Sequence, residues 1–262
     1  MNMKLKFVEK PSELPFENLH FLYAQGAFTT QRWEKGRCFF EKHHRERVLK
    51  TWEIFWSYQD SGERLNELFE VIQKKVGFET YVLRVNLIPS KDLKTCYVVF
   101  QKRENLSKMT AQKVHLNFES EIFYTSELKK IKTIDYKERL IRLKEKGFDG
   151  SLKDLLFCDE REWVKECTFS NIIYRRGNRY FTPENKGDFL EGCALKGLCE
   201  IFEKHLRPIE KVPTMKRNIM ESDELWRVNS AKIFDRVFSI EDKIFNESSF
   251  HEELCQTLEK YL

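Results

Sequence analysis

Three chemically suitable groups follow one another in the second half of the chain. Lys132 lies in the run IKTI at residues 131–134, Glu166 opens the run ECTFSN at residues 166–171, and Gly192 begins a predicted helix. A lysine amine can bond to a carbonyl carbon, a carboxylate can hold a protonated ring nitrogen, and a helix N-terminus binds anions. Taken singly, Lys132 could equally extend to water from a strand edge, and Glu166 could be a surface carboxylate.

Order and spacing favour the chemical interpretation, because four motifs are spread over nearly the whole chain. They are G-x-F-T-T-x-R at residues 26–32, H-x-x-R followed by an apolar residue at 44–48, E-x-x-x-S-N-I at 166–172 with a hairpin at 174–178 and T-P at 182–183, and D-E-L at 223–225 with a short loop to 230. Together they resemble the fold-type IV family of pyridoxal-phosphate enzymes, which contains the D-amino acid and branched-chain aminotransferases and aminodeoxychorismate lyase.

The resemblance implies a role for each chemically suitable residue. Lys132 would hold the aldehyde of pyridoxal 5′-phosphate (PLP) as a Schiff base and then act as general acid and base. Glu166 would pair with the protonated pyridine nitrogen, and Arg47 would grip the phosphate with its planar fork of donors. Without the resemblance, Arg47 would be read as a solvated basic residue. Lys132 is the predicted catalytic residue.

The resemblance also implies a phosphate site at a helix N-terminus. In the family this site has the motif G-I-T-[RK], whereas residues 192–195 read GCAL. Ala194 thus replaces the threonine, and Leu195 replaces the basic residue. The backbone amides of Cys193 and Ala194 could still donate to phosphate. The replacements predict weaker cofactor binding.

Further contacts are predicted for residues near these motifs. Tyr136 stands where aminotransferases have a tyrosine against the cofactor's ring oxygen, although an aromatic residue there could equally be core. The remaining predicted contacts are Thr168 to the cofactor and Thr30, Arg32 and Asn229 to the substrate, with no metal ligand.

Three functions stay open. A PLP-dependent lyase would convert 4-amino-4-deoxychorismate to 4-aminobenzoate and pyruvate in folate biosynthesis; the short chain and residues 28–32 and 175–178 favour it, whereas residues 84–89 lack the Arg-Gly-rich loop of many lyases. A class IV aminotransferase acting on branched-chain or D-amino acids is the alternative. A family member that has lost catalysis, with a degraded phosphate site, is the third.

Helical and strand periodicities predict an α+β fold. The resemblance implies two domains, D-amino acid aminotransferase-like: a small N-terminal α/β sandwich at residues 1–116, a linker at 117–126, and a larger cofactor-binding domain at 127–262, β-barrel-like with helices. The predicted helices are 43–56, 63–76, 134–146, 192–205 and 248–262, and the predicted strands are 81–88, 95–102, 114–124, 154–158, 168–174, 179–182, 224–228 and 233–240.

Composition excludes several classes of protein. The 262 residues include 46 Lys plus Arg against 42 Asp plus Glu, a net charge of +4 that gives no reason to expect a nucleic-acid partner. No apolar run approaches the ~20 residues of a membrane span, and the first ten residues lack a secretory pattern. Seven cysteines contain no C-x-x-C pair. We expect a cytoplasmic homodimer that binds a small amino substrate and no membrane.

Overall fold

The structure, a computed structural model, falls into two units by its internal contacts. The first unit is Met1–Leu106 with Ser126–Tyr136, and the second is Ser107–Thr125 with Lys137–Leu262. The described residues are 3–9, 11–14, 26–60, 62–103, 113–122, 126, 129, 131–133, 137–246 and 249–261. Tyr136 therefore lies outside the described residues, and its contact with the cofactor stays a prediction. The predicted domain boundaries also stay predictions.

The first unit is a five-stranded sheet with two helices on one face. Its strands are β1 (Lys4–Val8), β2 (Ala27–Glu34), β3 (Arg37–Cys38), β4 (Tyr81–Pro89) and β5 (Thr95–Arg103), and its helices are α1 (Glu41–Trp56) and α2 (Glu63–Val76). The strand order is β1-β5-β4-β2-β3, with β1 parallel to β5 and the other pairs antiparallel.

Apolar spacing explains why these two helices lie on the sheet. Trp52 and Ile72 fall on the buried stripes of α1 and α2, and both belong to one core with Leu83 and Val85 of β4. The predicted helices and the predicted β4–β5 hairpin are confirmed.

The second unit is built on a nine-stranded sheet. Its strands are β6 (Val114–Ser120), β7 (Lys153–Cys158), β8 (Val164–Cys167), β9 (Asn171–Arg176), β10 (Arg179–Pro183), β11 (Ile209–Val212), β12 (Glu224–Asn229), β13 (Ile233–Ile240) and β14 (Lys243–Ile244). Its helices are α3 (Lys137–Glu145), α4 (Cys193–His205), α5 (Lys216–Met220) and α6 (Ser249–Glu259). The order is β11-β10-β9-β12-β13-β6-β7-β8, with β14 beside β13.

This sheet curls into a half-barrel. The start of β8 approaches the chain after β11, where the Val164 N–H donates to the Thr214 carbonyl at 2.7 Å and Trp163 forms an isolated β-bridge with Met215. The curled sheet encloses a core with side chains such as Leu156. The expected β-barrel-like architecture is confirmed. Within the described part of the chain, no helix has the length and apolarity needed to cross a membrane.

The predicted strand at 168–174 is wrong at its start. β8 ends at Cys167, whose N–H donates to the Ser170 carbonyl at 2.7 Å, so the chain turns before β9 begins at Asn171. Neither β8 nor β11 was predicted, because four residues are too few to show a period. The helix predicted at 134–146 is described from Lys137 and ends at Glu145, just before Gly147 with φ +67°, and residues 134–136 lie outside the described residues.

A buried ion network ties three strands together. Arg227 of β12 donates to Asp154 of β7 at 3.0 Å and to Asp235 of β13 at 3.1 Å, and the three side chains are at most 2% exposed. Arg227 also donates to the carbonyls of Gly150 and Ser151. One guanidinium thus bridges two buried carboxylates, and the Lys232 ammonium lies 3.5 Å from Asp235 as a second cation.

We predict that Arg227→Met lowers the free energy of unfolding by about 3–5 kcal/mol, because it leaves the buried Asp154 without its cation and Asp235 with only the Lys232 ammonium at 3.5 Å. Urea unfolding at neutral pH measures the change. The control is Arg179→Met, which breaks a surface ion pair with Glu210 and should have little effect. Equal denaturation midpoints for Arg227→Met and the parent would show that the network adds no stability.

Candidate active site

Lys132 is held on the edge of the first sheet. Among the described residues, β3 pairs with Trp33 and Glu34 at the end of β2. The start of β2 therefore has no β3 partner on that side. There the Phe28 N–H donates to the Lys132 carbonyl at 2.8 Å, and Thr133 bridges Ala27. The Lys132 ammonium nitrogen lies 5.0 Å from the centre of the Phe28 ring, within cation–π range. The strand edge therefore orients both the backbone and the amine.

Two arginines lie on the sheet face that carries the Phe28 ring. Thr30 lies directly opposite Arg84 of β4, and alternation along β2 puts Phe28, Thr30 and Arg32 on this face. The Arg84 guanidinium stacks 3.6 Å from the Phe28 ring centre, and Arg32 pairs with Glu34 at 2.7 Å. Arg84 was missed, although its place between two apolar residues of a strand was a signal that it faces away from the core.

Arg47 and Lys132 share a buried neighbour, His44. This residue of α1 is fully buried, and its Nδ1 lies 2.6 Å from the Thr29 hydroxyl. Burial, followed by the charges of Arg47, His43 and Lys132, holds the pKa of His44 well below its usual value. The imidazole is therefore neutral and adds no third cation. His44, the histidine of the H-x-x-R motif, was missed as a functional residue despite that signal.

Glu166 of β8 is bound by an arginine of α3. Arg139 donates from Nη1 to Glu166 at 3.0 Å, and from Nε and Nη2 to the two oxygens of Glu121 at 2.9 and 3.3 Å. The three side chains are 12–16% exposed. Arg139 and Glu121 were not predicted; the one available signal is that Arg139 precedes the buried Leu143 by four residues, on the same helix face.

The N-terminus of α4 begins from a rigid loop. Asn171 accepts from the Gly192 N–H at 2.7 Å and donates to the Leu190 carbonyl at 2.9 Å. A Cβ at position 192 would lie 2.5 Å from the Asn171 oxygen, so only glycine fits. Cys193 and Ala194 form the buried first turn, and no described side chain caps it. Such a helix end suits an anion.

Two other predicted contacts also lie in the second unit. Thr168 is 1% exposed in the turn after β8. Asn229 ends β12, where its amide donates to the Ser170 hydroxyl and its carbonyl accepts from two N–H groups of the following turn, all at 3.0 Å. Asn229 therefore has a structural role, and its contact with the substrate stays a prediction.

The first unit thus holds Lys132 and Arg47, and the second holds Glu166 and the α4 N-terminus. Their chemistry fits PLP: an amine for the aldehyde, a carboxylate for the ring nitrogen, and a guanidinium and helix amides for the phosphate.

Residues 26–240 match the family of class IV amino-transferases, and the chain belongs to that family. Its structure is similar to that of a putative 4-amino-4-deoxychorismate lyase from Legionella pneumophila subsp. pneumophila str. Philadelphia 1, with a TM-score of 0.80 and 20% identity over 98% of this chain and 99% of the other. The PLP-bound form of a hypothetical aminotransferase from Mycobacterium tuberculosis gives a TM-score of 0.81 and 15% identity, over 95% and 94%.

The chain is 31% identical over 94 residues to the mitochondrial branched-chain amino acid aminotransferase 1 of Humulus lupulus. The matched stretch is 35% of this chain and covers 23% of that relative's length.

Class IV aminotransferases are the PLP enzymes that the motifs resemble, so family membership confirms the predicted class of enzyme, its cofactor and its fold. The roles of individual residues stay predictions.

We predict that acid destabilises the protein partly through His44. Unfolding lets this histidine bind a proton near pH 6.5 that the folded protein excludes, so the free energy of unfolding falls as the pH drops below that value. His44→Asn should remove up to about 1.4 kcal/mol per pH unit of this dependence. Urea unfolding from pH 7.5 downwards measures it, in a His251→Asn background because burial also lowers the pKa of His251. An unchanged pH dependence would contradict the prediction.

Proposed function

We propose that the protein is a PLP-dependent lyase that converts 4-amino-4-deoxychorismate into 4-aminobenzoate and pyruvate. The observation that carries the proposal is the Phe28 face of the first sheet, where the Lys132 amine and the Arg84 guanidinium both lie against the Phe28 ring. Arg32 lies on the same face four residues further along β2, paired with Glu34. The substrate carries two carboxylates, and the Arg84 guanidinium beside the amine suits one of them. The near end-to-end match to a lyase-type structure also supports the proposal.

The cofactor, when bound, supplies an electron sink next to the substrate's amino group. Lys132 would take the proton from the ring carbon that bears this amino group. As the ring becomes aromatic, the bond between the adjacent ring carbon and the enolpyruvyl oxygen breaks, and a proton delivered to the methylene carbon of the released enolpyruvate gives pyruvate. The two products together contain all the atoms of the substrate, so no further reactant is needed.

The other site residues would bind and orient. Glu166 would keep the proton on the pyridine nitrogen, so its loss should slow the chemistry more than it weakens binding. Arg47 and the amides of Cys193 and Ala194 would bind the phosphate.

Two alternatives remain. In an aminotransferase, Lys132 would instead remove the proton from the substrate's α-carbon and return it during transfer of the amino group, and the identity to a branched-chain enzyme favours this reaction. In a family member without catalysis, the change to Ala194 and Leu195 would have abolished productive cofactor binding. Under each of these functions, we propose a cytoplasmic homodimer, supported by the family resemblance and by the composition.

We predict that PLP attaches to Lys132. Borohydride reduction of the PLP-treated protein, followed by digestion and mass spectrometry, should place the pyridoxyl group on this residue, because its backbone and amine are oriented by Phe28. Lys132→Ala should lose the label, whereas Lys129→Ala, in the same segment, should keep it. A parent protein that takes no label would support the non-catalytic alternative.

We predict that 4-amino-4-deoxychorismate yields equimolar 4-aminobenzoate and pyruvate, without accumulation of pyridoxamine phosphate. Lys132→Ala should lower the rate by at least about 100-fold, because the step needs a positioned acid and base. Chromatography of both products measures it. Transfer of the amino group from branched-chain or D-amino acids to a 2-oxo acid, with no pyruvate from the chorismate compound, would instead establish the aminotransferase.

A further inference from the structure

Glu166 belongs to a group of three charges, the Glu121–Arg139–Glu166 triad. Arg139 meets Glu121 with two parallel hydrogen bonds and Glu166 with one. Its guanidinium also stacks 4.5 Å from the ring centre of Phe157, which is fully buried on β7. Two carboxylates and an aromatic ring thus determine the position of this arginine.

We propose that Arg139 and Glu121 set the charge with which Glu166 meets the pyridine nitrogen of PLP. The proposal rests on the assignment of the cofactor site above. Arg139 is then a positioning residue: it holds the Glu166 carboxylate in one orientation through α3, while Glu121 offsets the positive charge that Arg139 brings.

The signs of the charges explain why Glu121 is needed. Glu166 paired with Arg139 alone would be neutral, and a protonated pyridine nitrogen beside it would leave a net positive charge. With Glu121 the triad carries one negative charge, which the pyridinium neutralises. The side chains are only 12–16% exposed, so screening by water is limited and these differences are felt at the nitrogen.

The surroundings support a fixed triad. Burial lowers the pKa of Arg139, but the charges of Glu166 and Glu121 outweigh it and hold the pKa above its usual value, so the residue stays charged. The next arginine along α3, Arg142, has separate partners, the Ser120 carbonyl and the carboxylates of Glu138 and Glu119. A change at Arg142 therefore tests how α3 is anchored to the sheet without changing the charges next to Glu166.

The test is the protonation of the pyridine nitrogen in the holoenzyme. The protein is loaded with PLP carrying ¹⁵N in the ring, and the ¹⁵N chemical shift is followed as a function of pH. Glu121→Gln should lower the pKa of the ring nitrogen by about one unit or more, and Arg139→Gln should raise it, because an opposite and a like charge are removed. The double variant should return close to the parent, since both changes cancel.

Arg142→Gln is the control for α3, and thermal melting of each apoprotein reports whether the variants fold. If the triad served only to hold α3, both single variants would shift the pKa of the ring nitrogen in the same direction, and the double variant would shift it further. That result overturns the proposal.

Should Glu121→Gln not fold, a comparison of Arg139→Gln with Arg139→Lys decides, because only the neutral variant should raise the pKa of the ring nitrogen. A parent that binds no PLP would refute the cofactor site as well, whereas a labelled parent with insensitive variants refutes the triad alone.

Discussion

One hydrogen bond, from the Phe28 N–H to the Lys132 carbonyl, connects the chemistry of this protein to its fold. It exists because β3 is only two residues long and leaves the start of β2 open. A short segment that contains Lys132 fills that edge, which gives the amine a defined place over the Phe28 ring. Lys132 thereby joins Arg84 on a face whose reverse side is the core under α1 and α2.

Burial of charge is the second theme, and each unit handles it differently. In the first unit burial keeps His44 neutral, so this histidine adds no positive charge near Arg47 and Lys132. In the second unit buried carboxylates share an arginine: Arg227 pairs with Asp154 and Asp235, and Arg139 pairs with Glu121 and Glu166. In each case one guanidinium bridges carboxylates from different elements, a geometry to which its planar donors are suited.

The motifs contain both chemical and structural residues. Asn171 fixes the loop before α4, and Thr182 donates to the Ile172 carbonyl at 2.7 Å, which ties β10 to β9. Asn229 stabilises its own turn. A motif that recurs at a given spacing therefore reports the support of a site as much as its reactive groups.

The sequence by itself determined the helices with strong apolar periodicity, the β4–β5 hairpin, the family and the residue types expected at the cofactor. It did so because these depend on local spacing: Trp52 and Ile72 mark helix faces, and Glu166 is recognised by its motif. Only the tertiary structure decided that Lys132 pairs with β2, that β8 and β11 are the end strands of a curled sheet, and that Arg139 and Glu121 lie beside Glu166. These contacts join residues far apart in the chain, and their partners are chosen by burial and charge balance, which no local pattern encodes.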